Sequence, residues 1–260
     1  MSTRAAAVAG TFYERDEARL RQQVDLLLGA ARQRDCPQPK ALIVPHAGYL
    51  YSGATAAEAY CQLIPFAGQI RQVILLGPAH RVYLEGVAVP SVDSFTTPLG
   101  EVPLAAELLS RLRRHPAAKV LDEAHREEHS LEVHLPFLQR VLPQFSLLPL
   151  VVGRCSPEVL GSIIDELWGE AETLFIISSD LSHFLDYESA CEQDSSTCER
   201  ILKGDNNLQG DEACGAAPIN GFLASAKGSR LSRQLLAYCN SGDTSGDKHR
   251  VVGYGSFVLS

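Results

Sequence analysis

The sequence contains no apolar run of membrane-spanning length, and no hydrophobic segment near its amino terminus could act as a secretory signal. It has seven cysteines, but the number is odd and no two of them form a Cys-x-x-Cys pair. Such a set is typical of reduced thiols rather than of a disulfide framework. These absences predict a cytoplasmic protein with no membrane partner.

Clusters of basic residues are also scarce. The formal net charge is -8, and the longest basic stretch, residues 111–114, is brief. Because phosphate neutralisation requires clustered lysine and arginine, we do not expect a nucleic-acid partner. A hydrophobic fraction of 45% with 21% charged residues argues against disorder. We expect residues 1–260 to form a single domain.

Several catalytic signatures are missing. There is no G-x-S-x-G elbow to expose a serine nucleophile, and no H-E-x-x-H motif of the zincin proteases. Neither of the common phosphate-binding glycine motifs is present. The sequence therefore gives no support to a serine hydrolase, a zincin or a phosphate-loop enzyme.

Short apolar runs alternate with helical patterns along the chain. This alternation predicts an α/β fold with a central, mostly parallel or mixed sheet flanked by helices. Ser156 is expected to cap one of these helices, and Pro149 predicts an edge or bulged strand. Apolar stripes predict helices at residues 20–28, 104–112 and 160–167. We expect strands at residues 41–44, 73–76, 86–89, 146–152, 173–178 and 251–258.

Two histidines directly follow apolar runs of the predicted sheet. His46 lies in a Val-Pro-His-Ala-Gly segment, and His80 ends a Leu-Gly-Pro-Ala-His segment. Ligands of open α/β sheets bind outside the carboxyl ends of the strands, so these two imidazoles are expected to share a cavity. With Cys214 they would form a ligand set suited to zinc, copper or iron. The alternative is that each is a structural residue, hydrogen-bonded or packed in the core.

Two further polar motifs carry candidate catalytic groups. Residues 128–136 read Glu-His-Ser-Leu-Glu-Val-His-Leu-Pro, in which His129, Glu132 or His134 could orient metal ligands or transfer protons. Directly after an apolar run, Asp180 could hydrogen-bond an imidazole and His183 could act as an acid, a base or an additional ligand. The alternatives are a polar helix face and a turn whose side chains satisfy backbone groups.

Together these motifs resemble the Memo family, which includes bacterial and archaeal members called AmmeMemoRadiSam system protein B. The resemblance spans nearly the whole chain. Besides the motifs above, it includes residues 7–13, Cys214-Gly215 with Pro218-Ile219, and residues 242–254. It implies a fold similar to that of class III extradiol dioxygenases. It also implies that His46, His80 and Cys214 are metal ligands with His183 beside them, and that the metal is iron or copper, with zinc less expected.

The implied ligand set differs from that of the ring-cleaving dioxygenases, which bind Fe(II) through two histidines and a carboxylate. Since a cysteine stands in place of the carboxylate, ring cleavage is not implied. The resemblance instead implies a metal-dependent oxidoreductase, with His183, Asp180, Glu132 and His134 as candidate catalytic residues. The alternative is a noncatalytic module that binds a peptide or delivers metal in a modifying assembly with AMMECR-type and radical-SAM proteins.

Overall fold

The computed structural model describes residues 2–260. The strands are β1 (Thr3–Arg4), β2 (Ala41–Val44), β3 (Gln72–Pro78), β4 (Val87–Val89), β5 (Ser94–Thr97), β6 (Gly100–Pro103), β7 (Ala118–Val120), β8 (Ser146–Val152), β9 (Thr173–Ser178), β10 (His183–Leu185), β11 (Arg233–Asn240) and β12 (Val251–Leu259). The α-helices are α1 (Glu17–Ala30), α2 (Tyr49–Tyr60), α3 (Ala106–Leu112), α4 (Asp122–Arg126), α5 (His129–Glu132), α6 (Leu135–Val141), α7 (Pro157–Glu166), α8 (Tyr187–Lys203), α9 (Ala216–Ala224) and α10 (Ser241–Ser245). Short 3-10 helices cover Cys61–Phe66 and Gly228–Arg230.

Nine strands form one large mixed sheet in the order β10-β12-β2-β9-β3-β8-β4-β7, with β11 also paired to β12. At its centre β2, β9, β3 and β8 run parallel, and β12 and β4 flank them in the antiparallel direction. Nearly every residue of the four central strands is buried, which explains their continuous apolar runs. The predicted α/β fold with a mostly parallel or mixed sheet is confirmed. A second, smaller sheet has the order β1-β5-β6.

Helices cover both faces of the large sheet. Helix α2 lies in the connection from β2 to β3, which are the two neighbours of β9 in the sheet. Helix α7 lies in the connection from β8 back to β9, the two neighbours of β3, so this crossover moves along the sheet in the opposite direction to the first. Because such crossovers are right-handed, α2 and α7 lie on opposite faces. Helix α2 packs with α1 and α6, whereas α7 packs with α9. The carboxyl ends of β2, β9 and β3 meet at one edge of this layered core, where the predicted site residues begin.

The predicted edge position of Pro149 is wrong. Strand β8 lies inside the sheet, and Pro149 pairs with Leu75 in an unshifted parallel register. Within residues 2–260, β4 pairs with β8 only at Val151 and Val152. The proline is tolerated in an interior strand because its neighbour β4 is too short to reach it.

The helices largely follow the predicted stripes. The predicted cap at Ser156 is confirmed, since its side chain accepts a hydrogen bond from the Val159 backbone N, 3.4 Å away, at the start of α7. Helix α3 begins at Ala106, so Leu104 of the predicted stripe lies before the helix. No helix in the described part of the chain has both the length and the apolar character needed to cross a membrane.

Candidate metal centre

Three imidazoles converge at the carboxyl ends of the central strands. His46 follows β2, His80 follows β3, and His129 is the first residue of α5. One ring nitrogen of each lies within 4.8 Å of the other two. The rings of His80 and His129 are stacked with centroids 4.7 Å apart, and the His46 ring is roughly perpendicular to both, with centroid distances of 5.1 and 5.3 Å. Three nitrogens at these separations could hold a single metal ion.

The environment keeps the imidazoles of His46 and His129 uncharged. Burial, followed by the neighbouring histidines, holds the pKa of His46 well below its usual value. Burial likewise lowers the pKa of His129 to about 4. The neutral imidazole is the form that donates a lone pair to a metal. Both rings are therefore ready to bind a cation at neutral pH without first losing a proton.

Glu128 orients His80 with two hydrogen bonds. Its buried carboxylate accepts from the His80 backbone N at 2.7 Å and lies 2.9 Å from the His80 Nδ1. Burial opposes its ionisation, but the hydrogen bonds from His80 lower the pKa of Glu128 to about 2. An ionised carboxylate can only accept, so Nδ1 of His80 carries the proton and Nε2 is free to bind a metal. Such carboxylate support is typical of metal-binding histidines.

His46 is held by two residues at the end of β9. Its Nδ1 lies 2.7 Å from the Ser178 Oγ, and its backbone N donates to Asp180 Oδ1 at 2.7 Å. Burial raises the pKa of Asp180 to about 7, against the lowering effect of the hydrogen bond from the His46 backbone. The Asp180 hydrogen bond thus fixes the backbone at His46, and the second carboxylate oxygen of Asp180 lies 3.9 Å from the His46 Nε2, close to the imidazole ring but beyond hydrogen-bond distance.

Cys214 lies directly beside His46. Its Sγ is 3.3 Å from the His46 Nε2 and accepts a hydrogen bond from the Asp180 backbone N, also at 3.3 Å. Burial, followed by the nearby Asp180 carboxyl group, raises the pKa of the Cys214 thiol. Among residues 2–260, the group of three mutually close donors contains His129 and not Cys214. The thiol therefore lies outside this group and approaches it at His46.

His183, the first residue of β10, lies outside the group of three nitrogens. Burial lowers its pKa. The next residue, Phe184, has a φ of 63°, and its side chain is 61% exposed. This left-handed conformation is unusual for a bulky residue, and such strain often accompanies functional sites. The acid–base role of His183 stays a prediction.

His134 supports the site from behind His46. It is buried, and its Nε2 lies 2.8 Å from the Ser178 Oγ that also contacts His46. Its Nδ1 lies 2.8 Å from the Tyr60 hydroxyl. Burial lowers the pKa of His134 to about 3, so the ring is neutral. His134 thus contacts His46 through Ser178, and its catalytic role stays a prediction.

Glu132 has its contacts in the amino-terminal segment. The partners of its buried carboxylate are Arg4 in an ion pair, the backbone N of Ala7 at 2.8 Å and of Val8 at 3.0 Å, and the Tyr13 hydroxyl at 2.6 Å. The same segment carries Phe12, whose ring centroid lies 4.8 Å from that of His129. Glu132 therefore anchors the segment that packs on the imidazole cluster. Its catalytic role stays a prediction.

The sequence did not predict the positions of two residues at this cluster. His129 was expected to orient ligands, but it is one of the three clustered donors. The residue that could have indicated the position of His129 in the sequence is Glu128. Its side chain caps α5 by accepting a hydrogen bond from the Ser130 backbone N at 3.0 Å, which fixes where His129 lies. Ser178 begins the polar motif that contains Asp180 and His183, but it was assigned no role because it is also the last residue of an apolar strand.

Gly215 allows the loop that carries Cys214 to approach β9. A Cβ atom at this position would lie 2.4 Å from the Ser178 carbonyl O and 2.5 Å from the Ser179 Cβ. The Gly215 backbone N donates to the Ser179 Oγ at 2.9 Å. The glycine of the Cys-Gly pair is therefore explained by close contact with the strand end.

Gly215→Ala is expected to lower the free energy of unfolding by about 1–3 kcal/mol, because the added methyl group must displace backbone atoms. Urea denaturation measures this change. Gly68→Ala is the matched control, since no atom lies within 4 Å of a Cβ at Gly68, and it should stay within about 0.5 kcal/mol of the wild type. Equal stability of the two variants would contradict the close contact.

Comparisons with known proteins identify the family. The family model described as Memo-like protein matches residues 4–258. A MEMO1 family protein of Aquifex aeolicus is 39% identical over 267 residues, covering 98% of each chain. One of Sulfolobus acidocaldarius is 36% identical, covering 96% of this chain and 97% of its own. The crystal structure of an uncharacterized protein from Escherichia coli K12 shares the fold, with a TM-score of 0.54 at 12% identity over 86% of this chain and 100% of that one. The chain belongs to the Memo family.

Proposed function

We propose that this protein binds a transition-metal ion between His46, His80 and His129, with Cys214 as an additional ligand. The observation that carries the proposal is the convergence of three ring nitrogens within 4.8 Å of one another. The Nδ1 atoms of His46 and His80 are already engaged by Ser178 and Glu128, which leaves their Nε2 atoms as donors. Preoriented donors of this kind are what a metal site requires.

The donor set is suited to the proposed ion. Imidazole nitrogens with a neighbouring thiol favour iron, copper or zinc over magnesium or calcium, which prefer oxygen ligands. His129 adds a further indication, because its Nδ1 is buried and has no hydrogen-bond partner among the described residues. That atom lies 3.4 Å from the Glu128 Oε1 but does not form a hydrogen bond with it. A bound cation would offset the free-energy cost of packing this ring, with its buried nitrogen unpaired within residues 2–260, against two other imidazoles.

We propose iron or copper as the bound metal and a metal-dependent oxidoreductase as the activity. Either metal, when bound, supplies one-electron redox chemistry. The ring of Phe12 packs on His129 at one side of the cluster, with centroids 4.8 Å apart. His183, which is partly buried, is the candidate proton carrier, since burial lowers its pKa and favours the neutral imidazole. Family membership and the dioxygenase-like fold that the motifs imply support this assignment.

Anaerobic purification followed by reconstitution with Fe(II), Cu(I) or Zn(II) tests the site. Elemental analysis should find a bound ion in the wild type and less in the His129→Ala variant. His249→Ala is the matched control, because this histidine is exposed to solvent, and it should retain the wild-type metal content. A wild-type protein that stays metal-free after reconstitution would contradict the proposal. Comparison of Cys214→Ala with His129→Ala shows which residue contributes more to metal affinity.

A second candidate function is a noncatalytic module that binds a peptide or delivers metal to a partner. It is favoured by exposed apolar side chains that follow the site histidines in sequence, namely Leu50, Tyr83 and Phe184. If these side chains join into one patch, they would mark a protein contact, since contiguous exposed apolar surface is typical of such contacts. The proposed partners are AMMECR-type and radical-SAM proteins in the cytoplasm, a reducing compartment consistent with seven free thiols. Co-elution of a purified AMMECR-type protein that survives His46→Ala and His80→Ala would favour this function; failure to co-elute with the wild type would count against it.

A further inference from the structure

The hydroxyl group of Ser178 contacts three polar atoms at once. Its Oγ lies 2.6 Å from the Ser130 carbonyl O, 2.7 Å from the His46 Nδ1 and 2.8 Å from the His134 Nε2. All four residues are buried. A serine hydroxyl has one proton to donate and two lone pairs that accept. These three partners therefore use its full hydrogen-bonding capacity.

The chemistry of the partners fixes where each proton lies. The Ser130 carbonyl can only accept, so Ser178 must donate its single proton to that oxygen. Both imidazole nitrogens must then donate to the Ser178 Oγ. His134 is left with a lone pair on Nδ1, and the Tyr60 hydroxyl, 2.8 Å away, is placed to donate to it. Each group in this buried network thus has a partner of the complementary kind.

We propose that Ser178 is a positioning residue that holds His46 in the tautomer protonated on Nδ1. The lone pair of His46 is then on Nε2, the atom that lies 3.3 Å from the Cys214 Sγ. Use of that lone pair to bind a metal rests on the function proposed above. Tyr60 donates to the His134 Nδ1, which leaves the proton of His134 on Nε2, directed at the Ser178 oxygen. Tyr60 and His134 therefore act on His46 through Ser178.

Cys214 provides a competing cause for the same tautomer. A thiol proton on Sγ, directed at the His46 Nε2, would also favour protonation of Nδ1. The two causes are separable, because the Ser178 contact does not involve Cys214. Removing the thiol should leave the tautomer intact if Ser178 determines it.

Long-range ¹H–¹⁵N correlation spectra of the metal-free protein, labelled with ¹⁵N-histidine, test the assignment directly. Such spectra distinguish a protonated ring nitrogen from one with a free lone pair, so the readout does not depend on activity. We expect His46 to be protonated on Nδ1 in the wild type and in Cys214→Ala. Ser178→Ala should give a mixture of tautomers, whereas Ser178→Thr, which keeps the hydroxyl, should restore the wild-type spectrum.

The matched control is Ser256→Ala. Ser256 is also fully buried, but its hydroxyl has no hydrogen-bond partner among residues 2–260, so its loss should leave the His46 spectrum unchanged. Protonation of Nε2 in wild-type His46, or an unchanged tautomer in Ser178→Ala, would overturn the proposal. If Ser178→Ala does not fold, the wild-type and Cys214→Ala spectra still decide the matter.

A second readout separates this inference from the proposed function. Ser178→Ala is expected to weaken Fe(II) binding by about 10–100-fold, as is typical when the partner of a metal ligand is lost. Ser256→Ala should bind Fe(II) as the wild type does. Failure of the wild type to bind any metal would contradict the proposed function, whereas the tautomer of His46 would still support or overturn the role of Ser178.

Discussion

His80→Ala is expected to weaken the binding of Fe(II) or Cu(I) by more than the roughly 10–100-fold that follows loss of an outer partner of a ligand. The reason is that the substitution removes one of the three clustered donors, together with the ring that stacks on His129. Competition with a chelator of known affinity, under anaerobic conditions, measures the change.

Two further variants provide metal affinities with which that of His80→Ala can be compared. Glu128→Gln keeps the size of the side chain but removes the charge that holds His80, so its effect should fall within about 10–100-fold. His249→Ala, at an exposed position, should leave the affinity unchanged. Wild-type affinity in His80→Ala would exclude this residue as a ligand.

Glu132→Ala is expected to lower the free energy of unfolding by about 3–5 kcal/mol, because it leaves the Arg4 guanidinium buried without its counter-charge. The side chains of both residues are almost fully buried, with exposures of 6% for Arg4 and 0% for Glu132. The substitution also removes the acceptor for two backbone N–H groups and the Tyr13 hydroxyl. Urea denaturation measures the loss.

Glu199→Ala is the control for Glu132→Ala, since its ion pair with Lys203 is mostly exposed, at 65% and 74%. Exposed pairs along a helix contribute only about 0.3–0.5 kcal/mol. If the two substitutions destabilise the protein equally, Glu132 does not have the anchoring role assigned to it. A loss of metal affinity in Glu132→Ala would further show that the amino-terminal segment, through Phe12, supports His129.

The fold was predictable because its central strands are buried on both faces. Their continuous apolar runs identify them without tertiary information, and β2, β8 and β9 have the predicted bounds. The proximity of His46 and His80 follows from the same pattern, since the carboxyl ends of parallel strands meet at one edge of a sheet. Pro149 was misjudged because residue types do not reveal that β8 has the short strand β4 as its neighbour, in a register that stops before the proline.

The roles within residues 128–136 could not be predicted, because they depend on contacts between residues distant in sequence. Helix α5 is only four residues long, so helical spacing does not determine which side chains face the site. Glu132 is directed to Arg4, 128 positions earlier in the chain, whereas His129 joins His46 and His80. Ser178 was assigned no role because its three hydrogen-bond partners, His46, Ser130 and His134, lie 44 to 132 positions away along the chain.

X-ray absorption at the metal edge of the iron-loaded or copper-loaded protein identifies the atoms that bind the metal. We predict scattering from imidazole ligands in the wild type, reduced in His46→Ala, His80→Ala and His129→Ala and unchanged in His249→Ala. A sulfur contribution that disappears in Cys214→Ala would identify the thiol as a further ligand. A spectrum with oxygen ligands alone, or one that is the same in all of these variants, would contradict the claim that the clustered imidazoles hold the metal.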